Sequence, residues 1–194
     1  YVRIAGSEGN KFTDYFVKWT GSAWEECLDP KADRGLLVDM PLRMDRISLT
    51  SGIATFYIDQ IDWSPPRVGN EENNSDPSFV GRKVTDLFFY KNRLGITSDD
   101  SITLTEAANY RNFYVTTAID TVTTDVVDLT VSTNQASNIY FAKPFNHSLY
   151  VFTKYAQYEV TNEGPFGPNT VSVESVTNYP MQTDVEPVVM NNSL

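Results

Sequence analysis

Apolar residues in this chain recur mostly at every second position, in short runs broken by polar turns. Tyr15, Val17 and Trp19 alternate with Phe16 and Lys18, Gly21-Ser22 offers a turn, and Trp24 restarts an extended run. That pattern predicts a hairpin. After polar links at residues 29–35 and 39–41, Ile47 and Leu49 lead into Ser51-Gly52, and Ile53, Thr55 and Tyr57 alternate with Ala54, Phe56 and Ile58. A second hairpin follows, with glycine supplying the positive φ of a tight turn.

Residues 64–78 interrupt the pattern. They hold Pro65, Pro66, Pro77 and the polar run Asn70 to Asp76, with Val68 as the one apolar side chain. A linker or long surface loop is expected here. It would divide an N-terminal β-hairpin module, 1–63, from a second β region, 79–194.

The second region opens with Val84 to Tyr90, a continuous apolar run of strand length, expected to be buried on both faces. Residues 91–97 turn it back, residues 98–101 make a further turn, and Ile102 to Leu104 form the next strand. Glu106 to Phe113 suits one or two helical turns with Thr105 as cap. Val127, Leu129 and Val131 alternate, residues 134–137 are loop-like, and the apolar stretch from Asn138 stops at Pro144. Leu149 to Phe152, Gln157 to Val160 and Val171 to Glu174 complete the strands, with a Gly/Pro turn cluster at 164–169 between the last two. Roughly ten to twelve short strands and no long amphipathic helix make the class mainly β, with at most short helices. Residues 86–97 and 148–161 resemble each other, each an apolar strand, a polar turn and an alternating strand. Repeated small antiparallel sheets suggest propeller-like blades.

Composition narrows the picture. At 41% hydrophobic and 13% aromatic the chain is too rich for disorder. A net charge of −10 argues against a protein that reads nucleic acid, because an acidic surface repels phosphate. Ordinary acidic solubility accounts for such a charge, and an acidic wall past which DNA slides is the alternative. No run of eighteen apolar residues offers a membrane span. The first residue is Tyr1, and the chain reads as a piece of a longer one.

Candidate chemistry is sparse. Cys27 is the one cysteine, which excludes an internal disulfide and a Cys-based zinc site, and it reads as a small buried hydrophobe. His147 is the one histidine, so a catalytic triad would have to use it, and its setting between Pro144 and Ser148 reads as a surface turn. The acid pairs Glu25/Glu26, Glu71/Glu72 and Asp99/Asp100 are adjacent in sequence, and neighbours on a strand face opposite ways, so none makes a glycosidase pair. Neither residues 70–76 nor 98–101 fit a calcium loop, and Gly6-Ser7-Glu8-Gly9 lacks the Lys-Ser/Thr of a phosphate loop. The sequons at Asn73, Asn146 and Asn191 carry little weight in an Asn-rich chain. Trp19, Trp24, Trp63, Tyr110, Phe113 and Tyr114 read as core or interface anchors, with a sugar platform as the alternative. No catalytic, cofactor-binding or metal-binding residue is assigned.

One run carries more. Asp76-Pro77-Ser78-Phe79-Val80-Gly81, the strand Val84 to Tyr90 and the turn Asn92-Arg93-Leu94-Gly95 resemble the nozzle (tail tubular protein B) family of T7-like short-tailed bacteriophages. Similar motifs follow in order. Leu104-Thr105-Glu106-Ala107 precedes Asn112-Phe113, and Pro144-Phe145-Asn146 precedes Leu149 to Phe152. Upstream lie Asp14 to Trp19, Trp24-Glu25-Glu26 and Met40-Pro41, so the resemblance spans most of residues 1–160. It departs at residues 70–76, which are longer and less Asp-rich than the family pattern. It implies a structural virion protein of the phage tail with no catalytic residues and a propeller-like part. Its copies would form a homo-hexameric ring below the portal adaptor (tail tubular protein A) ring. That ring would be a conduit for transient, non-specific passage of DNA and would help anchor the tail fibre protein. The competing expectation is a carbohydrate- or receptor-binding β module of a phage tail.

Overall fold

A computed structural model describes residues 1–6, 11–35, 37, 40–131 and 138–190. The expectations at 7–9, Asp39, 134–137 and Asn191 lie outside these residues. Thirteen strands are found among those described, and a single short 3-10 turn at Lys11–Thr13. All pair antiparallel, in four sheets.

A three-stranded sheet contains β1 (Val2–Ile4), β2 (Tyr15–Trp19) and β3 (Trp24–Cys27). The expected hairpin is β2–β3, with Trp19 opposite Trp24. The second hairpin, β4 (Arg43–Thr50) and β5 (Ile53–Asp59), stands as a two-stranded ribbon. Two four-stranded meanders then follow in sequence. The first is β6 (Val84–Tyr90), β7 (Arg93–Ser98), β8 (Ser101–Leu104) and β9 (Val127–Thr130). The second is β10 (Ile139–Phe145), β11 (Ser148–Thr153), β12 (Gln157–Asn162) and β13 (Val171–Thr177).

Three of the hairpin turns share one chemistry. Ser51-Gly52, Lys91-Asn92 and Asn146-His147 are two-residue loops in which both residues have positive φ. That is the turn whose twist matches the strands it joins, and Asn and Gly tolerate it best.

The two meanders pack face to face. β10 lies against β6 and β7, and β13 meets β9, so first strand faces first strand and last faces last. Between them lies an apolar layer that includes Phe88, Ile102 and Leu104 from one sheet and Leu149, Val151 and Val160 from the other. Each such side chain, fully buried, contributes about 1.5–3 kcal/mol. The other face of the first sheet is covered by a second cluster, in which Ile96 packs with Trp63, Phe79 and Phe113.

Four expectations need correction. β6 is buried on one face only: Phe88 and Tyr90 point into the core, while Leu87 and Phe89 are exposed. The strand after Asn138 runs through Pro144 to Phe145, because β10 is an edge strand and the missing N–H breaks no ladder. Residues 106–113 form turns, not a helix. Ala108 takes a φ of 63°, and the Asn112 side chain closes the loop by donating to Glu106 and to the Tyr114 carbonyl. Thr105 is buried and accepts from the Leu94 N–H (3.1 Å), so it serves the strand beside it. Finally, the repeat seen in the sequence compares β6–β7 with β11–β12, one strand out of phase with the repeat of whole sheets.

Residues 64–78 contain no strand, only a parallel bridge between Leu28 and Gly69. Pro66, Val68, Gly69, Asn74 and Pro77 are nevertheless buried.

Gly95 sits opposite Phe88 on β6, and a Cβ there would fall on the Phe88 ring. Replacing Gly95 by Ala is expected to lower stability by about 1–3 kcal/mol through overpacking, read from urea unfolding. The pair Gly95→Ala with Phe88→Leu should recover part of it.

Candidate functional site

The polar side chains of this chain work mainly as internal fasteners. Arg93, 1% exposed, donates from Nη1 to the carbonyls of Thr105 (2.6 Å) and Asp125 (2.5 Å), and from Nη2 to that of Thr123 (2.7 Å). Its guanidinium lies over the Phe166 ring of the second sheet's 162–171 loop, 5.7 Å from the centroid. Burial pulls its pKa down, with Asp125 and Glu106 opposing; guanidinium nonetheless stays charged. Arg93 thereby pins the long β8–β9 connection to the sheet, which explains why an arginine follows the Lys91-Asn92 turn.

A second set ties the N-terminal sheet to the rest. Glu26 accepts from Thr117 Oγ1 (2.8 Å) and from the Ala118 N–H (2.6 Å). Asn73 donates to the Asp14 carbonyl (2.6 Å), and Asp14 in turn pairs with Arg3. Arg34, whose side chain is buried, pairs with Asp76, donates to the Asn74 carbonyl and stacks over Tyr114 at 5.1 Å. Tyr114 completes the group by donating to Asp76 (3.0 Å). Burial, then the Asp76 carboxylate, pushes the Tyr114 hydroxyl's pKa up. Burial works against the ionised Asp76, but Arg34 and Tyr114 outweigh it and hold its pKa below the usual carboxylate value.

The residues weighed for catalysis do not converge. His147 is exposed in the β10–β11 turn, where its carbonyl accepts from Tyr90 Oη (2.7 Å). Cys27 is buried at the end of β3, and burial raises its thiol pKa, the setting of an inert cysteine. Glu25 is exposed while Glu26 is bonded to Thr117 and Ala118. Asp100 pairs with Arg82 (3.2 Å).

The six singled-out aromatics also separate. Trp63, Phe113 and Tyr114 are buried and belong to the core, so Phe113 cannot serve as a surface anchor. Trp19 and Trp24 are exposed and adjacent, but their planes are tilted by 56°, which gives no flat stacking platform. Tyr110 remains exposed and meets the exposed Phe89 edge-on at 5.4 Å. Sequence pattern missed Phe89, because an unbroken apolar strand does not say which face stays open.

Apolar surface left open is the larger feature. Along the β4–β5 ribbon Met44, Leu49, Phe56 and Ile58 are all exposed. On the outer face of the second sheet, Tyr150, Phe152 and Val176 line a groove of about 970 Å³ against residues 179–188. Contiguous exposed apolar surface of this extent marks interaction sites. The fold is therefore a mainly β one with open apolar faces among the described residues.

Comparison with known proteins agrees. The bacteriophage nozzle protein model matches residues 1–194, and the chain belongs to that family. It is also 30% identical over 189 residues to the tail tubular protein gp12 of Escherichia phage T7, a match covering 96% of this chain. The chain spans 23% of that protein's length.

The Asp76 cluster predicts acid sensitivity. A carboxylate with a lowered folded-state pKa stabilises the fold above its unfolded pKa, about 4, and loses that contribution as pH falls through the lower folded value. Asp76→Asn should therefore reduce stability at pH 7 and flatten its fall below about pH 4, read from thermal unfolding across pH.

Proposed function

We propose that this chain is part of the wall of a phage tail tube, a structural virion component of the distal tail with no catalytic role. The observation that carries the reading is the family match along residues 1–194. Three physical features support it. Stacked antiparallel meanders of this kind are the units from which propellers are built, so we take 79–194 as a propeller-like part, with 1–63 and 64–78 as the module and connection before it. Open apolar surfaces suit a protein whose copies touch one another, and a ring needs two different contact faces on each copy. A net charge of −10 suits a conduit, because every phosphate contact would retard DNA passing through it.

In this reading six copies close into the ring. It docks below the portal adaptor ring, helps hold the tail fibres, and lets DNA through without binding it specifically. Phe89 and Tyr110 are proposed as contacts on the rim of that ring.

Particle averaging of the full-length protein by electron microscopy, alone and with tail partners, is the test. Closed six-fold rings with a DNA-wide channel are expected. Copies that stay single even with partners present would overturn the reading. Phe89→Ala with Tyr110→Ala should leave unfolding unchanged and weaken ring assembly. Phe113→Ala should instead cost about 3–5 kcal/mol of folding stability, since its ring packs against Trp63 and Phe79.

A further inference from the structure

The β4–β5 ribbon has two unlike faces. Cross-strand pairing puts Met44 with Ile58, Arg46 with Phe56, and Leu49 with Ala54 on one of them. The opposite face carries Arg43, Asp45, Thr55, Tyr57 and Asp59, with Ile53 at its turn end. There Arg43 pairs with Asp45 (2.9 Å) and approaches Asp59 (4.0 Å). The first face is thus apolar around one charge, Arg46, which has no ion-pair partner among the described residues. None of the ribbon's side chains joins either core cluster. A lone two-stranded ribbon is marginally stable in water, so this one is built to be covered.

Arg46 restricts what can cover it. A purely apolar occupant would strand a buried cation. The occupant must offer carboxylate set in apolar surface, and the chain itself carries such a place. At the β13 margin of the second sheet, Glu159 and Glu174 stand directly opposite each other, an unfavourable like-charge pair with no cation partner among the described residues. The cation in the same cross-strand row, Lys143, is engaged by Glu186. Further along the chain from Glu174, Val176 and Tyr179 are exposed in the groove against residues 179–188.

We propose that the ribbon of one copy docks on the β13 margin of the next, with Arg46 between Glu159 and Glu174 and Phe56 and Ile58 against Val176 and Tyr179. Ribbon and margin are different surfaces, so the contact is head-to-tail, the kind that propagates around a ring. This inference rests on the tube reading and names one of its interfaces.

Charge reversal in the full-length protein tests it. Arg46→Glu should abolish closed rings and leave the unfolding midpoint of the separated copies unchanged, because Arg46 lies outside both cores. Adding Glu159→Lys and Glu174→Lys to that variant should restore rings. Phe56→Ser with Ile58→Ser should weaken them without any change of charge. Rings that persist at wild-type yield in Arg46→Glu would overturn the proposal. Rings lost in Arg46→Glu and not restored by the added lysines would overturn the assignment of the β13 margin. Wild-type protein that forms no rings would sink the tube reading itself, a separate and earlier failure.

Discussion

The apolar layer between the two meanders organises everything else in the chain. An antiparallel sheet with one apolar face must cover that face, and here each of two four-stranded sheets covers the other. Because first strand lies on first and last on last, the two sheets share one orientation. Their connections therefore gather in consistent places. The long β8–β9 connection would otherwise hang free, and Arg93 holds it by three carbonyls while lying over Phe166 from the second sheet. Breaking the layer would thus undo the loop as well as the core.

Polar and apolar residues have exchanged their usual duties. Glu26, Asn73, Asn74 and Arg34 are turned inward to fasten segments far apart in sequence, with the half-exposed Asp76 pairing with Arg34 from the surface. Buried polar groups of this kind stand up only when each finds its partners. Large apolar side chains meanwhile stay open on the ribbon, at Phe89 and Tyr110, and beside β13. A monomer that kept this surface wet would lose much of the benefit of having it. These open faces are left for contacts beyond the described residues, and the chain spans 23% of the nozzle-family relative it matches.

Much of this was legible from residue pattern. Period-two alternation located the strands, and Gly or Asn at the turns marked the hairpins, since these residues tolerate the positive φ that two-residue loops require. Where local pattern failed, a tertiary partner had intervened. Residues 106–113 carry a helical signal, yet Asn112 and Thr105 spend their side chains on neighbouring backbone and no helix forms. Pro144 looked like a stop, but its place on the edge of a sheet made its missing N–H harmless. Phe113 and Tyr110 sit three residues apart with similar chemistry, and one is core while the other is surface.

By itself, the sequence determined the class of fold, the positions of nearly all strands and the family. Those depend on side-chain periodicity, turn chemistry and ordered motifs, all of which are local. Only the tertiary structure decided which faces are covered. Phe56 and Phe88 both sit in apolar strand-length runs, and nothing near either one in the chain says that Phe88 meets a second sheet while Phe56 meets none. Burial is a property of the partner as much as of the residue. The open ribbon with its lone Arg46, and the facing carboxylates of Glu159 and Glu174, became visible once every strand had been given its neighbour.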